Sequence, residues 1–387
     1  MAGARRPLGL ALHALLALAA CTLLFSDFSR SDPEAAIEAL PETPSSLPAP
    51  DPAPDLHGAT TGDLGSGMGI GSGDSPKSLA DAFPPEKEAT AAPSAYEDAW
   101  QPTDFGGWYL APKKIRSDYF DIIFHFHAGR AAAKEYREQG RGAVIVALTY
   151  GAGSKAYADA LADPDRFQKM LGEMEERLRA SKSNPRLRVR RISLFAWSAG
   201  YAAIRNILTQ GYYDRIDTVV LLDGLHTNYL PLDLPPALPP RGAKRPLAPA
   251  RRVDGKGLDA FMQFAQDAAA GKKEFVFTHS SIVPPGYAST TETAAVLLDV
   301  VKAKKVWLRT PGPRTFVRTY RADAGGFHIR GFTGTTKEAH IAQLHLVGEV
   351  LHDLVVPRWV RLDRRLPSEK PTSPWKRESK AKWTAAN

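Results

Sequence analysis

The sequence predicts an α/β domain, a mostly parallel sheet flanked by helices, preceded by a disordered N-terminal linker. Three observations carry this. From about residue 100 onward, short runs that are apolar at nearly every position recur, as strands covered on both faces require. Longer amphipathic runs alternate with them, the rhythm of strand–helix–strand units. Residues 31–99, by contrast, are crowded with Pro, Gly, Ala, Ser and acids and hold few large apolar side chains. Such a segment cannot bury enough surface to offset the entropy of ordering it.

The elements follow in chain order. Arg5 and Arg6 precede a hydrophobic stretch at 8–25, interrupted mainly by His13. This has the form of a secretory signal or a membrane anchor. Leu18-Ala19-Ala20-Cys21 resembles the lipobox of bacterial lipoproteins, which implies lipidation at Cys21. The apolar run continues past that cysteine, however, and its whole length suits a spanning helix, so an uncleaved anchor stands beside the lipoprotein reading. Residues 1–30 are therefore a signal or anchor and 31–99 a linker. As a random coil the linker spans on the order of 50 Å. Its glycine cluster at 65–71 follows no strand and opens no helix, so it is linker and not a nucleotide loop.

The folded unit is expected at 100–363. Residues 119–126 (YFDIIFHF) and 143–150 (AVIVALTY) read as buried strands, and 165–180 as a surface helix. A strand at 192–196 runs into a helix at 201–208; then come a strand at 218–223 (TVVLLD) and a helix at 258–270. A strand at 274–278 (EFVFT), a helix at 291–301, a strand near 306–309 and one long helix at 337–354 close the core. The Pro-rich stretch 230–247 can be neither a regular helix nor a central strand. Beyond the carboxyl ends of the strands it is a pocket wall or a plain surface excursion. A basic, Pro-interrupted tail occupies 364–387.

The charge is uneven. Thirteen acids and two lysines give residues 31–99 a net −11, which leaves +17 on residues 100–387 against +8 for the whole chain. A basic surface permits contact with anionic glycan or anionic lipid. No helix-turn-helix, zinc-finger or RNA-binding signature accompanies it, so nucleic acid is not an expected partner. Cys21 is the only cysteine, which excludes an intrachain disulfide framework and a thiol nucleophile in the folded part.

The chemistry concentrates at Ala196-Trp197-Ser198-Ala199-Gly200. A strand leads straight into this motif and a helix leaves it, with small residues on both sides of the serine, as a strained strand-to-helix turn needs. A serine hydroxyl is a weak nucleophile until a base takes its proton, and the base needs an acid to orient it. The strand–turn–helix around Ser198 and the pieces that follow resemble the α/β-hydrolase superfamily over about residues 105–355, with Ala196 where G-x-S-x-G has its first glycine. The resemblance implies a serine hydrolase (esterase, lipase or amidase class) needing no metal or organic cofactor. It implies Ser198 as nucleophile, Asp223 after the next strand as acid and His340 at the last helix as base. Glu292 is the alternative acid, and His328 the alternative base. The backbone N–H groups of Ala199 and His127 would form the oxyanion hole, with Phe126 where the superfamily usually has glycine. Trp197, His226, His279 and Tyr287 would line the pocket.

Two other readings stand beside this one. A catalytically silent domain of the same fold would bind anionic envelope polysaccharide. Alternatively His125 and His127, alternate residues on one strand, would join Asp223 and His226 in a zinc-dependent hydrolase. The anchor and linker together place the folded unit outside the cytoplasm, tethered at the bacterial cell envelope.

Overall fold

Runs apolar at every position are stable only where neighbours cover both faces, and the central strands occupy that position. The computed structural model describes residues 94–231, 252–312 and 316–365. In chain order these are β1 (Gln101–Pro102), β2 (Trp108–Leu110), β3 (Tyr119–Phe126), α1 (Ala133–Gln139), β4 (Val144–Leu148), α2 (Ser154–Ala160), α3 (Arg166–Ser181), β5 (Arg188–Trp197), α4 (Tyr201–Ile207) and β6 (Ile216–Leu222). There follow α5 (Asp259–Ala269), β7 (Glu274–His279), α6 (Thr290–Val301), β8 (Val306–Pro311), β9 (Val317–Ala324), β10 (Phe327–Phe332), α7 (Lys337–Leu344), α8 (Val347–Val350) and α9 (Val356–Arg365).

The strands form one 10-stranded sheet in the order β1-β2-β4-β3-β5-β6-β7-β10-β9-β8. From β4 to β10 every pairing is parallel. At either end the sheet turns antiparallel, through β1–β2–β4 on one side and β10–β9–β8 on the other. Alternation along each strand divides the core in two. Phe124, Phe126, Leu194, Ala196 and Leu221 pack with α3, α4 and α5. Ile123, Ile145, Phe195, Trp197 and Val220 face Tyr136 of α1 and the C-terminal helical segments. Helix α3 shows why it forms: Phe167, Met170, Leu171, Met174 and Leu178 are its buried stripe, at helical spacing.

Several expectations are corrected. The strand near 306–309 is no part of the parallel sheet; β8 is an antiparallel edge strand on β9, with Trp307 71% exposed. The helix expected at 337–354 is not continuous: α7 ends at Leu344, and the chain resumes helically at Val347. A five-residue π-turn, Leu351–Val355, then leads into α9. Pro357 has no N–H to give the preceding turn, and the wider turn just before it accommodates that loss. Helix α9 runs to Arg365, past the expected boundary at 363. The folded unit also begins earlier than residue 100: Tyr96 is buried, bridges to Pro112, and its hydroxyl accepts the Gly142 N–H at 3.1 Å.

Asp121 of β3 accepts hydrogen bonds from Arg190 and Arg191 of β5, and Asp363 of α9 pairs with both arginines. That cluster ties the C-terminal helix to the amino ends of the central strands, leaving their carboxyl ends to the loops that carry the candidate site. The expectations on residues 1–30 with Cys21, on 31–93, on 232–247 and on the tail past Arg365 lie outside the described residues. Among the described residues no helix is long and apolar enough to cross a membrane.

Candidate active site

Ser198 follows β5 directly, with φ 48°, and the chain passes through one 3₁₀ turn into α4. A non-glycine residue in the left-handed region is strained, and it persists where its surroundings leave no alternative. Two glycines supply those surroundings. A Cβ on Gly200 would lie 2.3 Å from the Phe126 carbonyl oxygen, so only glycine lets the turn rest on the end of β3. A Cβ on Gly224 would lie 2.1 Å from the Ser198 carbonyl oxygen, so the turn after β6 presses on the serine's own backbone.

Asp223 stands at that second turn, also with φ 48°. Its N–H donates to the Thr278 carbonyl at 2.8 Å, extending the β6–β7 ladder by one bond. Its Oδ2 accepts from Nδ1 of His340 at 2.8 Å. Its Oδ1 accepts the Ser280 N–H at 2.8 Å and the Thr290 hydroxyl at 2.9 Å. Burial pushes this carboxyl up, but the His340 hydrogen bond and charge and the Ser280 contacts outweigh it. Together they hold Asp223 down at about 2, so it is an anion at any ordinary pH. That Ser280 and Thr290 hold the carboxylate is not signalled in the sequence, where hydroxyl and backbone groups of loops carry no motif.

His340 lies in the first turn of α7, capped by Thr336. With Nδ1 donating to Asp223, Nε2 is the acceptor nitrogen; it is buried and has no hydrogen-bond partner among the described residues. Trp197 fixes the ring. Its indole N–H donates to the His340 carbonyl at 3.0 Å, and the two rings sit 4.7 Å apart at 31°. Since Trp197 precedes Ser198, one residue couples the elbow to the histidine. Ser198 and His340 are not hydrogen-bonded to each other in this arrangement; contacts of this kind commonly tighten only around substrate.

A narrow cleft of about 10 Å³ opens beside this pair, with Asp223, His226, Ser280, Tyr287, Thr290 and His340 among its walls. Ser198 is only 4% exposed and is not one of those walls. Its backbone abuts the Gly224 turn, next to Asp223, which does line the cleft.

The remaining expected site residues separate. His226 and Tyr287 line the cleft, whereas Trp197 and His279 do not. Trp197 stands behind His340, between it and His127, while His279 is turned inward and bonded through Nε2 to the Tyr320 hydroxyl at 2.6 Å. His328 is held by Asp323 at 2.6 Å and Glu274 at 3.2 Å, away from Asp223. Glu292 caps α6 in a reciprocal pair with Ser289 and accepts the Tyr229 hydroxyl. The expected oxyanion donor at His127 is corrected: its N–H donates to the Leu148 carbonyl at 2.7 Å, because the β3–β4 ladder runs one residue past the strand. The zinc grouping is not assembled either. His125 bonds the Tyr136 hydroxyl at 2.6 Å, Asp223 is engaged by His340, Ser280 and Thr290, and His226 bonds the Ala288 carbonyl at 3.0 Å. Among the described residues no group of three or more His, Cys, Asp or Glu is placed to hold a metal ion.

Burial holds two histidines neutral. His125 is pushed down to about 3 by burial, and His127 to about 3 by burial with the charges of His340 and His125 behind it. The unfolded chain takes up these protons below the ordinary value of 6.5, and the folded chain does not until about 3. Stability therefore falls as pH drops from 6.5 towards 3, by up to about 1.4 kcal/mol per pH unit for each histidine. Asp223 works lower down: the stability from its depressed value is complete above 3.8 and is lost as pH falls towards 2. Thermal melts across the range from about pH 4 to about pH 6.5 should show the first slope, and His125→Gln should flatten it. An equal slope in that variant would show that His125 is not the source.

No family model matches the chain, and no curated protein sequence matches it. Solved structures do. A cold-adapted esterase from an Arctic intertidal metagenomic library, in its zinc-bound structure, is 12% identical with a TM-score of 0.33, over 67% of this chain and 87% of that one. Est1E from Butyrivibrio proteoclasticus is 10% identical with a TM-score of 0.33, over 68% and 98%. The siderophore hydrolase EstB from Aspergillus nidulans is 12% identical with a TM-score of 0.34, over 70% and 99%. Likenesses at that level decide nothing about chemistry, which rests on the geometry of the site.

Proposed function

We propose that this chain is a serine hydrolase that cleaves an ester or amide through an acyl-enzyme on Ser198. One observation carries the reading: the 2.8 Å bond from His340 Nδ1 to a buried, anionic Asp223, on the turn that abuts the strained Ser198 backbone. In this reading Ser198 Oγ attacks the substrate carbonyl carbon and its proton passes to His340 Nε2. The negative charge that develops on the carbonyl oxygen is met by the Ala199 N–H. The leaving group departs with the proton from Nε2, and water, activated by the same nitrogen, releases the acyl group. Asp223 stays ionised throughout and stabilises the imidazolium. An N-terminal envelope tether belongs to the proposal on the strength of residues 1–30 alone.

A fluorophosphonate probe tests it directly. The folded wild-type protein should gain one covalent adduct, mapped by peptide mass spectrometry to Ser198; a folded protein that stays unlabelled would overturn the proposal.

A further inference from the structure

The proposed serine chemistry makes no use of His226, yet this side chain is held in a fixed orientation on the cleft wall. It lies in the turn after β6, three residues past Asp223. Its Nδ1 is 3.0 Å from the Ala288 carbonyl. A carbonyl only accepts, so Nδ1 carries the hydrogen. Burial depresses the basicity of the ring, so no second proton is held at neutral pH. Nε2 is therefore a lone-pair acceptor. It bonds nothing among the described residues and is not one of the enclosed unpaired atoms, and the residue lines the cleft. The ring is held edge-to-face by Tyr287 at 4.9 Å and 84° and by Tyr201 at 6.0 Å and 70°. An acceptor locked in this way is preorganised and loses little freedom when it engages a ligand.

The other walls sharpen what that ligand must be. Among the described lining residues there is no lysine or arginine, although the domain as a whole is strongly basic. Both oxygens of Asp223 are already engaged. The described walls thus offer a hydrogen-bond donor a fixed, neutral acceptor.

Building on the serine-hydrolase reading, we propose that His226 selects substrates that carry a hydroxyl or amide N–H donor close to the scissile carbonyl. The donor can belong to the acyl group or to the leaving alcohol. A substrate without it leaves Nε2 desolvated and unpaired, which lowers kcat/KM by about tenfold or more.

The experiment uses the full chain and two near-isosteric ester pairs. On the acyl side para-nitrophenyl beta-hydroxybutyrate is compared with the isovalerate; on the alcohol side hydroxyethyl butyrate is compared with propyl butyrate. The wild type should favour the hydroxylated member of one pair by about tenfold or more, and the pair that discriminates identifies the side. His226→Phe, which keeps a ring between the two tyrosines, should collapse that ratio, and His226→Gln should restore part of it. No preference in either pair, or a preference that survives His226→Phe, overturns the proposal. In that case continued fluorophosphonate labelling of Ser198 would leave the hydrolase reading standing, and loss of labelling in folded wild type would remove both. If His226→Phe does not fold, His226→Gln carries the comparison, and a wild type with no preference overturns the proposal without either variant.

Discussion

Replacing Ser198 with alanine is expected to lower turnover of an activated ester by about six orders of magnitude, the loss seen when a complete triad loses its nucleophile. The fold should survive, since alanine keeps the Cβ and the Ser198 side chain makes no bond on which the elbow depends. The sharper expectation concerns Ser198→Ala combined with Asp223→Asn. Alone, Asp223→Asn should cost about four orders of magnitude. The asparagine Oδ1 can still accept from Ser280 and Thr290, so its amide nitrogen must face His340 Nδ1. Nδ1 then has to accept, the proton moves to Nε2, and the base is lost. Groups that act as one unit are not additive, so the double variant should be no slower than Ser198→Ala. Initial rates with para-nitrophenyl acetate, on protein shown by circular dichroism to be folded, measure both. A Ser198→Ala variant with more than about a tenth of wild-type activity would be incompatible with an acyl-enzyme on that residue.

Gly224→Ala should be among the most destabilising single changes in the domain. The added Cβ would lie 2.1 Å from the Ser198 carbonyl oxygen, 2.7 Å from its nitrogen and 2.8 Å from its carbonyl carbon. All three are backbone atoms, so no side chain can move aside, and the serine turn itself must shift. Overpacking of a relaxed core costs about 1–3 kcal/mol; a clash with fixed backbone belongs at or beyond the upper end. A urea melt should show that loss, and fluorophosphonate labelling of whatever folds should slow, because the displaced atoms carry the nucleophile. Gly172 in α3 is the control. A Cβ there meets nothing within 4 Å, so Gly172→Ala should raise stability by about 0.5–1 kcal/mol through helix propensity. Equal effects at the two positions would mean that the Gly224 turn does not press on the elbow.

The legible parts of the chain are those with a repeating local signal. β3, β5, β6 and β7 are apolar over enough residues to declare themselves, and α3 and α5 show buried faces at helical spacing. Part of what escaped is short. β1 and β2 span two and three residues, too few for any alternation. α1 buries only Ala133 and Tyr136, and α2 only Tyr157, so neither displays a repeated face. The break after Leu344 is invisible because apolar residues recur at helical spacing across it, at Ile341, Leu344, Val347, Leu351 and Leu354. In the site, Asp223 and His340 could be proposed from their positions after a strand and at a helix start. His328, in a strand-like run, stood as the alternative base, and its contacts with Asp323 and Glu274 set it apart.

By itself, the sequence determined the fold class, the strand–turn–helix that carries one strained serine at its turn, and the division between an acidic leading segment and a basic domain. These depend on periodicity and on small residues at fixed offsets, which are properties of neighbours along the chain. Tertiary structure decided everything that depends on distant partners. Asp223 and His340 are 117 positions apart, and their bond exists because β6 and α7 converge at the carboxyl edge of the sheet. The His127 N–H is taken by Leu148 because β4 lies alongside. His226 faces the cleft because Ala288, Tyr287 and Tyr201 hold it there. A hydrogen bond or a cavity wall is a relation between segments, and no local pattern encodes which segments will meet.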